Sequence, residues 1–392
     1  MHDRFELPEP SAQAQAHSQR VAGLLRERMR AAGGWLDFSQ FMELVLYAPG
    51  LGYYSAGSVK LGPAGDFVTA PELSPLFARC LARACLPWLL KNPGSVILEL
   101  GAGTGVLAAE MLTSLAGHGL PAVCYQILEV SADLRERQRV TLARLAPGHL
   151  ASVEWLDELP GAPLQGIILA NEVADALPVS RFTVRDGKPL ALGVVESAEG
   201  FAWATRDAPA ALSAAVAGIQ RRFGVALPEG YSSEVSLGLP GWVHAIAAAL
   251  GLGLFLLCDY GMSRREYYHR ERRDGTLTCH FRHRAHGNPF LYPGLQDITA
   301  WVDFTALAEA GEAAGLRVAG YGTQAHFLLD AGLDAELAAM MTADARANLL
   351  ATQQAKKLLL PGEMGERFKL MALARGDMEL AGFGFRDLRH LL

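Results

Sequence analysis

An acidic residue ahead of a glycine-rich turn is the first feature of this sequence that could bind a ligand. The run Glu99-Leu100-Gly101-Ala102-Gly103-Thr104-Gly105 follows a short apolar segment that predicts a β-strand. Glycines at this spacing let the backbone approach a ligand closely and point N–H groups at it. The dinucleotide-binding fingerprint fails at its last glycine, because Val106 stands three residues after Gly103. The carboxylate before the glycines would repel a pyrophosphate and suits the ammonium of S-adenosylmethionine.

Two more carboxylates fit that cofactor. Glu129 ends the next predicted strand, 24 residues after Gly105, where it can accept hydrogen bonds from both ribose hydroxyls. Asp157 follows the third strand and could accept a hydrogen bond from the adenine amine. The predicted cofactor residues are therefore Glu99, Gly101, Gly103, Gly105, Glu129 and Asp157. A purely structural glycine turn remains the alternative.

A second acidic segment, Asn171 to Pro178, follows the fourth predicted strand. Enzymes that methylate base amines tend to carry an Asn/Asp-Pro-Pro-aromatic quartet here, and residues 172 to 174 hold neither a proline nor an aromatic residue. Glu172 and Asp175 are spaced i, i+3, so on a helical turn both carboxylates would face the same way. Such a pair can hold a planar guanidinium and take its proton during methyl transfer. We expect Asn171, Glu172 and Asp175 to be catalytic, the alternative being acids that decorate a helix N-terminus.

Alternating strands and helices must position these residues. The pattern predicts strands at 95–100, 123–129, 152–156, 166–170 and 254–258, and helices at 17–32, 39–47, 74–90, 131–145, 207–222 and 240–250. Such alternation is typical of an α/β fold with a parallel sheet. A hairpin-like insertion is expected at 179–205, a shaped loop at 48–75, a β-prone stretch at 316–321, and a Gly-x-Gly turn within the apolar run 245–258.

Composition excludes several classes of protein. The 392 residues are 51% hydrophobic and 19% charged, which excludes disorder, and the net charge of −6 argues against a duplex-binding protein. The five cysteines form no Cys-x-x-Cys pair, and the longest apolar run has 14 residues, fewer than the roughly 18 to 20 that span a bilayer. With no leader-like N-terminus, we expect a soluble, cytoplasmic protein that inserts into no membrane.

Other polar groups allow more than one interpretation. Cys279, His280, His283 and His286 fit no common zinc spacing, so no metal is expected. The stretch 264–286 has seven arginines and three acidic residues, interleaved with aromatic residues, and could be a solvated loop, a protein-docking surface or an RNA-binding surface. Two further acidic side chains, Asp259 and Glu234, could line an acceptor pocket or cap strand ends.

Taken together, these motifs resemble the MidA-like family of class I S-adenosylmethionine-dependent methyltransferases, which includes the mitochondrial complex I assembly factor. The similarity runs over nearly the whole chain. Its most specific segment is Gly65-Asp66-Phe67-Val68-Thr69-Ala70-Pro71-Glu72-Leu73-Ser74-Pro75-Leu76-Phe77. Further segments are 41–44, 52–54, 99–105, 129–131 with Gln138, 171–178, 259–261, 275–277, 297–299, 302–304 and 364–368.

The resemblance implies a class I (Rossmann-like) methyltransferase sheet with an N-terminal helical and loop lid, inserted helices and a β-hairpin. It implies a protein arginine methyltransferase acting on a 49-kDa-type subunit of respiratory complex I. On this basis Gly101, Gly103, Glu129 and Asn171 fall on the cofactor site, and Thr69, Pro71 and Glu72 on its lid. Val173 and Ala174 replace residues that are often bulkier in the family.

We accordingly expect an N-terminal lid region at 1–92, a cofactor-binding core at 93–178, an insertion at 179–250 and a substrate-side region at 251–392. The expected partner is a protein substrate and not DNA, and a homodimer is left open. The alternatives are a cofactor-binding assembly chaperone without turnover, a dinucleotide oxidoreductase, and a methyltransferase acting on a small molecule or RNA.

Overall fold

The computed structural model describes residues 7–56, 69–224, 226–378 and 380–392. The chain divides into two compact units. Unit 1 contains residues 1–67, 176–238 and 265–301, and unit 2 contains residues 68–175, 239–264 and 302–392. The chain therefore leaves unit 2 twice and returns to it twice. The functional division into lid, core, insertion and substrate side stays a prediction.

The β-strands, in chain order, are β1 Leu36–Asp37, β2 Val96–Leu100, β3 Cys124–Leu128, β4 Val153–Leu156, β5 Leu164–Asn171, β6 Ser180–Arg185, β7 Lys188–Ser197, β8 Gly200–Asp207, β9 Ser232–Val235, β10 Leu250–Met262, β11 Thr278–Phe281, β12 Arg284–His286, β13 Asp297–Thr299, β14 Val302–Asp303, β15 Arg317–Thr323 and β16 Phe368–Arg375.

The α-helices are α1 Ala12–Ala31, α2 Phe38–Tyr47, α3 Ala70–Leu73, α4 Pro75–Lys91, α5 Val106–Gly117, α6 Ala132–Leu145, α7 Ala210–Phe223, α8 Leu239–Ala249, α9 Arg264–Tyr267, α10 Phe304–Ala313, α11 Gln324–Asp330, α12 Leu333–Met340 and α13 Ala345–Leu359. Short 3-10 helices span Pro147–Ser152 and Arg389–Leu391.

A mostly parallel sheet forms the centre of unit 2. Its order is β15-β16-β10-β5-β2-β3-β4, and β14 pairs with β10. The pairs from β10 through β5, β2 and β3 to β4 are parallel, whereas β16 runs antiparallel to both β10 and β15. If the seven strands of the main path are renumbered along the chain, the order is 3-2-1-4-5-7-6 with the seventh strand reversed. The predicted α/β fold with a parallel sheet is confirmed.

Helix boundaries in unit 2 follow from capping residues. Ser74 caps α4 by accepting a hydrogen bond from the Leu76 N–H, with Pro75 at the first helical position. Ser131 caps α6 by accepting one from the Leu134 N–H. A large apolar core in this unit is built from α4, α5, side chains of the central strands and C-terminal elements. This core fixes the strand ends that carry the predicted site.

Two glycines allow the central strands to approach closely. A Cβ on Gly166 in β5 would lie 1.9 Å from the Val96 carbonyl oxygen of β2, and a Cβ on Gly253 in β10 would lie 1.8 Å from the Gly166 carbonyl oxygen. The predicted Gly-x-Gly turn is therefore wrong: residues 251–253 lie inside β10, next to a register shift. The glycines serve close strand contact rather than chain reversal.

Unit 1 contains an antiparallel sheet in the order β1-β7-β6-β9, with β8 pairing with β7. The predicted hairpin at 179–205 is thus part of a larger sheet. A second small sheet has the order β12-β11-β13. The apolar core of unit 1 packs α1 and α2 against these sheets through side chains such as Phe38, Phe41 and Val194.

The remaining predictions of secondary structure agree with the structure with two exceptions. Residues 70–73 form the short helix α3, although the sequence predicted a loop as far as residue 75. The antiparallel strand β16 was not predicted, because its residues are mostly apolar with no alternation. Residues 57–68, which include Gly65, Asp66, Phe67 and Val68 of the most specific family segment, lie outside the described residues. Within the described part of the chain, no helix is both long and apolar enough to span a membrane.

The close contact at Gly166 predicts a large effect of a single methyl group. Gly166→Ala should lower the free energy of unfolding by about 3 kcal/mol or more, because β2 and β5 cannot both keep their pairing around the added Cβ. Urea denaturation measures this. Gly241→Ala in α8 is the control, since its Cβ would meet nothing within 4 Å and should change stability by less than about 1 kcal/mol. Equal effects of the two substitutions would contradict the assignment.

Candidate active site

The carboxyl ends of the parallel strands bring the predicted site residues to one edge of the sheet. The glycine turn follows β2 and Asn171 ends β5, and these strands are neighbours with Leu100 opposite Ala170. The strand order reverses between β2 and β5. In an open α/β sheet, this reversal point is where ligands bind.

The glycine turn has the backbone geometry that its sequence predicts. Gly101, Gly103 and Gly105 all have positive φ angles, of 64°, 53° and 83°, a conformation that side-chain-bearing residues rarely adopt. Neighbours also leave little space, since a Cβ on Gly105 would lie 3.1 Å from the Cα of Gln138. A Cβ on Gly101 would lie 3.3 Å from a methyl group of Val173. The glycine turn therefore packs closely against Gln138 of α6 and Val173 of the segment after β5.

Glu99 lies inside the sheet rather than at its surface. Its side chain is fully buried and its Oε2 accepts a 2.7 Å hydrogen bond from the Tyr125 hydroxyl on β3. Burial raises the pKa of Glu99 to about 7; the Tyr125 hydrogen bond lowers the pKa and the nearby charge of Glu129 raises it. A cation bound at this edge would favour the charged form. The predicted contact of Glu99 with the cofactor ammonium stays a prediction.

Gln138 joins the glycine turn to Glu129. Its Nε2 donates to the Gly103 carbonyl oxygen at 3.0 Å and to Glu129 Oε2 at 3.2 Å, and its Oε1 accepts from the Trp155 indole at 2.8 Å. Glu129 Oε1 accepts from the Ser131 N–H at 2.9 Å. Burial raises the pKa of Glu129, and these hydrogen bonds oppose the shift. Gln138 belongs to the family motifs, but nothing in the sequence around it had indicated a residue of the site.

Glu72 is tied to the glycine turn through Thr104, whose hydroxyl donates to Glu72 Oε1 at 2.9 Å. Burial raises the pKa of Glu72. Its other oxygen, Oε2, and Oδ1 of Asn171 are buried without a hydrogen-bond partner among the residues that the structure describes. Two unpaired acceptors at the reversal point fit a ligand that carries hydrogen-bond donors, as the ammonium of S-adenosylmethionine does. Of the other predicted lid residues, Thr69 precedes α3 and Pro71 is buried within it.

Two residues beyond β3 and β4 are more exposed. Asp157 has 84% of its side chain exposed and pairs with Arg135 at 2.6 Å, so the structure does not place it with the buried carboxylates. Arg135 also donates to the carbonyl oxygens of Glu129 and Leu156. Val130, beside Glu129, is 79% exposed. The role of Asp157 at the adenine amine stays a prediction.

The segment after β5 is a turn and not the expected helical turn. Glu172 has a φ of 53°, unusual for a residue with a side chain, and no helix includes residues 172–175. The prediction that helical spacing aligns the two carboxylates is therefore wrong. The charges of both residues nevertheless affect the same group, the phenol of Tyr260 in β10. Burial raises the pKa of this phenol most, and the charges of Glu172 and Asp175 raise it further. Asn171 Nδ2 donates to Glu172 Oε1 at 3.2 Å.

A third carboxylate, Asp259, contacts this turn. It is fully buried, and its Oδ2 accepts hydrogen bonds from the backbone N–H groups of Val173, Ala174 and Asp175 at 3.2, 2.8 and 3.2 Å. Burial raises the pKa of Asp259 to about 7, although these hydrogen bonds oppose the shift. The sequence left open whether Asp259 lines an acceptor pocket or caps a strand end. This geometry favours a capping role, and the segment that Asp259 caps is the turn after β5 rather than β10.

The other acidic residue considered, Glu234, belongs to unit 1. It is fully buried, and Oε1 accepts from both the backbone N–H and the hydroxyl of Thr276. The Tyr268 hydroxyl donates to the Glu234 carbonyl oxygen at 3.0 Å. These bonds connect β9 to two residues of the arginine-rich stretch 264–286. Its aromatic residues Tyr267, Tyr268 and Phe281 are buried, so they are not available to stack on bases. Among described residues, no group of three or more His, Cys, Asp or Glu side chains could hold a metal.

The strand order with its reversed seventh strand, and a glycine turn beside buried strand-end carboxylates, define a class I S-adenosylmethionine-dependent methyltransferase. Residues 80–322 match the family model described as "Putative S-adenosyl-L-methionine-dependent methyltransferase", and the chain belongs to this family. The chain is also similar to the mouse protein arginine methyltransferase NDUFAF7, mitochondrial, with 29% identity covering 91% of this chain and 86% of the mouse protein. Its Drosophila melanogaster homologue is 27% identical, covering 95% and 88% of the two chains.

A solved structure supports the cofactor. A Burkholderia thailandensis protein crystallised with S-adenosylhomocysteine is 46% identical, with a TM-score of 0.93 and coverage of 99% of this chain and 100% of that one. The predicted family, fold class, enzyme class and cofactor are thus confirmed. This family membership excludes the dinucleotide oxidoreductase interpretation.

The predicted cytoplasmic location is wrong. The curated relatives from mouse, fruit fly and human are named as mitochondrial proteins. The prediction rested on free cysteines and on the lack of a leader-like or membrane-spanning segment. The pattern of cysteines does not separate one reducing compartment from another.

The Gln138 contacts predict a specific loss of cofactor affinity. Gln138→Leu should weaken S-adenosylmethionine binding about tenfold, because Glu129 and the Gly103 carbonyl lose their common donor. Calorimetric titration of the variant measures the Kd. Gln126→Leu on β3 is the control. The Gln126 amide donates to the exposed Glu154 of β4, so this substitution should leave affinity unchanged. An unchanged Kd for Gln138→Leu would contradict this role.

The raised pKa of Glu99 predicts a pH-dependent cost to stability. The folded protein binds the Glu99 proton more tightly than the unfolded chain, whose glutamate pKa is near 4.5, so this stabilisation is complete below pH 4.5 and is lost as pH rises through about 7. Glu99→Gln, which can still accept from Tyr125, should match the parent near pH 4.5 and exceed it by about 3 kcal/mol at pH 8. Urea unfolding at both pH values tests this. The exposed Glu154→Gln should show no such difference.

Proposed function

We propose that this methyltransferase methylates a guanidinium nitrogen of an arginine in a protein substrate, with Glu172 and Asp175 engaging the cation. The observation that carries the proposal is the position of the turn after β5, which holds Glu172 and Asp175 and packs Val173 against Gly101 of the glycine turn. The charges of both carboxylates also raise the pKa of Tyr260 in β10. The relatives named as protein arginine methyltransferases support it.

The chemistry of a guanidinium explains why two carboxylates suit this position. Its pKa exceeds about 12, so the acceptor arrives as a cation and no side chain can deprotonate it beforehand. A pair of carboxylates can bind two of its N–H groups and concentrate positive charge on the nitrogens that do not react. Asn171 helps to orient Glu172 through its Nδ2 hydrogen bond.

When bound, S-adenosylmethionine supplies a methyl group on a positively charged sulfur. Glu172 or Asp175 then accepts the proton that the methylated nitrogen releases. Holding the acceptor nitrogen in line with the methyl group could supply up to about 7 to 11 kcal/mol of the barrier reduction. The protein therefore contributes chiefly by orienting a cation and removing one proton.

We further propose that the substrate is a complex I subunit of the 49-kDa type, as the family resemblance implies. Labelling with S-[methyl-³H]adenosylmethionine in a lysate from cells that lack this gene, followed by identification of the labelled protein, tests this step. Label in RNA or in a small molecule would overturn the protein substrate, and label on another protein would overturn only the complex I assignment.

Replacing one carboxylate should separate cofactor binding from transfer. Glu172→Gln should lower transfer to lysate protein at least about 100-fold, because the amide cannot take the proton, and leave the Kd for S-adenosylmethionine within about twofold. Acid hydrolysis of labelled protein should yield methylarginines from the parent enzyme. The exposed Glu136→Gln on α6 serves as the matched control with full activity. Parallel loss of affinity and transfer in Glu172→Gln would argue against the assigned role.

A further inference from the structure

Asp259 connects two chain segments that are distant in sequence. Its carboxylate lies in β10, whereas three of the four N–H groups it accepts belong to residues 173–175, more than 80 positions earlier. Its other oxygen, Oδ1, accepts from the N–H of Tyr260 at 2.8 Å. Three consecutive N–H groups that point at one oxygen form a nest for an anion. Here the protein's own carboxylate occupies that nest.

The sheet places Asp259 where the chain leaves β5. Cys258 of β10 is paired with Asn171, and the Glu172 N–H donates to the Cys258 carbonyl oxygen at 2.9 Å. The regular pairing therefore ends at Glu172, whose φ is positive, and the next three N–H groups turn towards Asp259. No regular secondary structure holds these N–H groups, so the Asp259 carboxylate determines the direction of the turn.

From this geometry we infer that Asp259 is a positioning residue for methyl transfer, which fixes the turn 172–175 and thereby orients the Glu172 and Asp175 carboxylates toward the acceptor cation. The inference rests on the proposed role of Glu172. A cap that served only its own strand would bond within β10, whereas three of the four bonds of Asp259 go to the turn. Asp259 touches neither acceptor nor cofactor in this assignment and acts through the turn.

The carboxylates at and beside the turn also affect Tyr260, the residue after Asp259 in β10. Burial raises the pKa of the Tyr260 phenol most, and the charges of Glu172, Asp175 and Asp259 raise it further. Such a cluster favours a cationic acceptor over a neutral one. In this assignment the charges that face the acceptor belong to Glu172 and Asp175, and Asp259 acts by holding the turn that carries them.

Asp259→Asn tests the inference, because both oxygens of the carboxylate accept backbone N–H groups and an asparagine amide has only one oxygen. We expect transfer to lysate protein to fall about 30-fold through kcat, with the Kd for S-adenosylmethionine within about twofold. Hydrogen exchange should increase in peptides covering 171–178 and stay unchanged in those covering 99–105. Asp303→Asn is the matched control, since Asp303 is mostly shielded from solvent and also accepts a backbone N–H, from Ala306, while its ion pair is with Arg264. It should lower stability and leave kcat unchanged.

A double-mutant cycle separates positioning from a general structural loss. In the Glu172→Gln background, Asp259→Asn should lower the residual transfer less than about threefold, because the orientation of Glu172 no longer matters. An undiminished effect in that background, or unchanged exchange at 171–178, would overturn the inference. Full activity of Glu172→Gln alone would instead overturn the proposed role of Glu172. The two failures are therefore distinguishable.

Discussion

The parallel pairing of β5 with β2 on one side and β10 on the other is the constraint on which the site depends. It brings the glycine turn, the turn after Asn171 and the Asp259 carboxylate to one edge of the sheet. The pairing in turn requires Gly166 and Gly253, because any side chain there would meet backbone of the neighbouring strand. Residues with no chemistry of their own thus determine where the chemical groups stand.

Buried carboxylates are the second theme of this edge. Burial raises the pKa of Glu72, Glu99, Glu129 and Asp259, so each ionised group costs stability that neighbouring donors only partly restore. A protein selected for stability alone would place apolar residues there. A cationic ligand or acceptor bound beside these carboxylates would stabilise their charged forms. The site is in this sense less stable than its scaffold, as functional sites commonly are.

The sequence predicted the parallel sheet, the glycine turn and the position of Glu129 at a strand end, because strand periodicity, glycine spacing and strand-end position are local properties. It failed at Glu172, whose φ is positive, since the N–H groups that follow it are bonded by Asp259, a residue more than 80 positions later in the sequence. It also placed a turn at Gly251 to Gly253, because a glycine needed for close strand contact looks the same in sequence as one needed for a turn. Gln138 and Asp259 act through long-range hydrogen bonds, and no local pattern reveals such bonds.

The position of β16 has a consequence for the synthesis of the chain. This strand lies between β10 and β15, yet it is the last of the three to leave the ribosome. Until residue 375 has been made, the apolar edge of β10 has no partner on that side, and such an edge can pair with another chain. Nascent protein is therefore most exposed to aggregation late in translation, and chaperones that bind unpaired strands would matter most during those final steps.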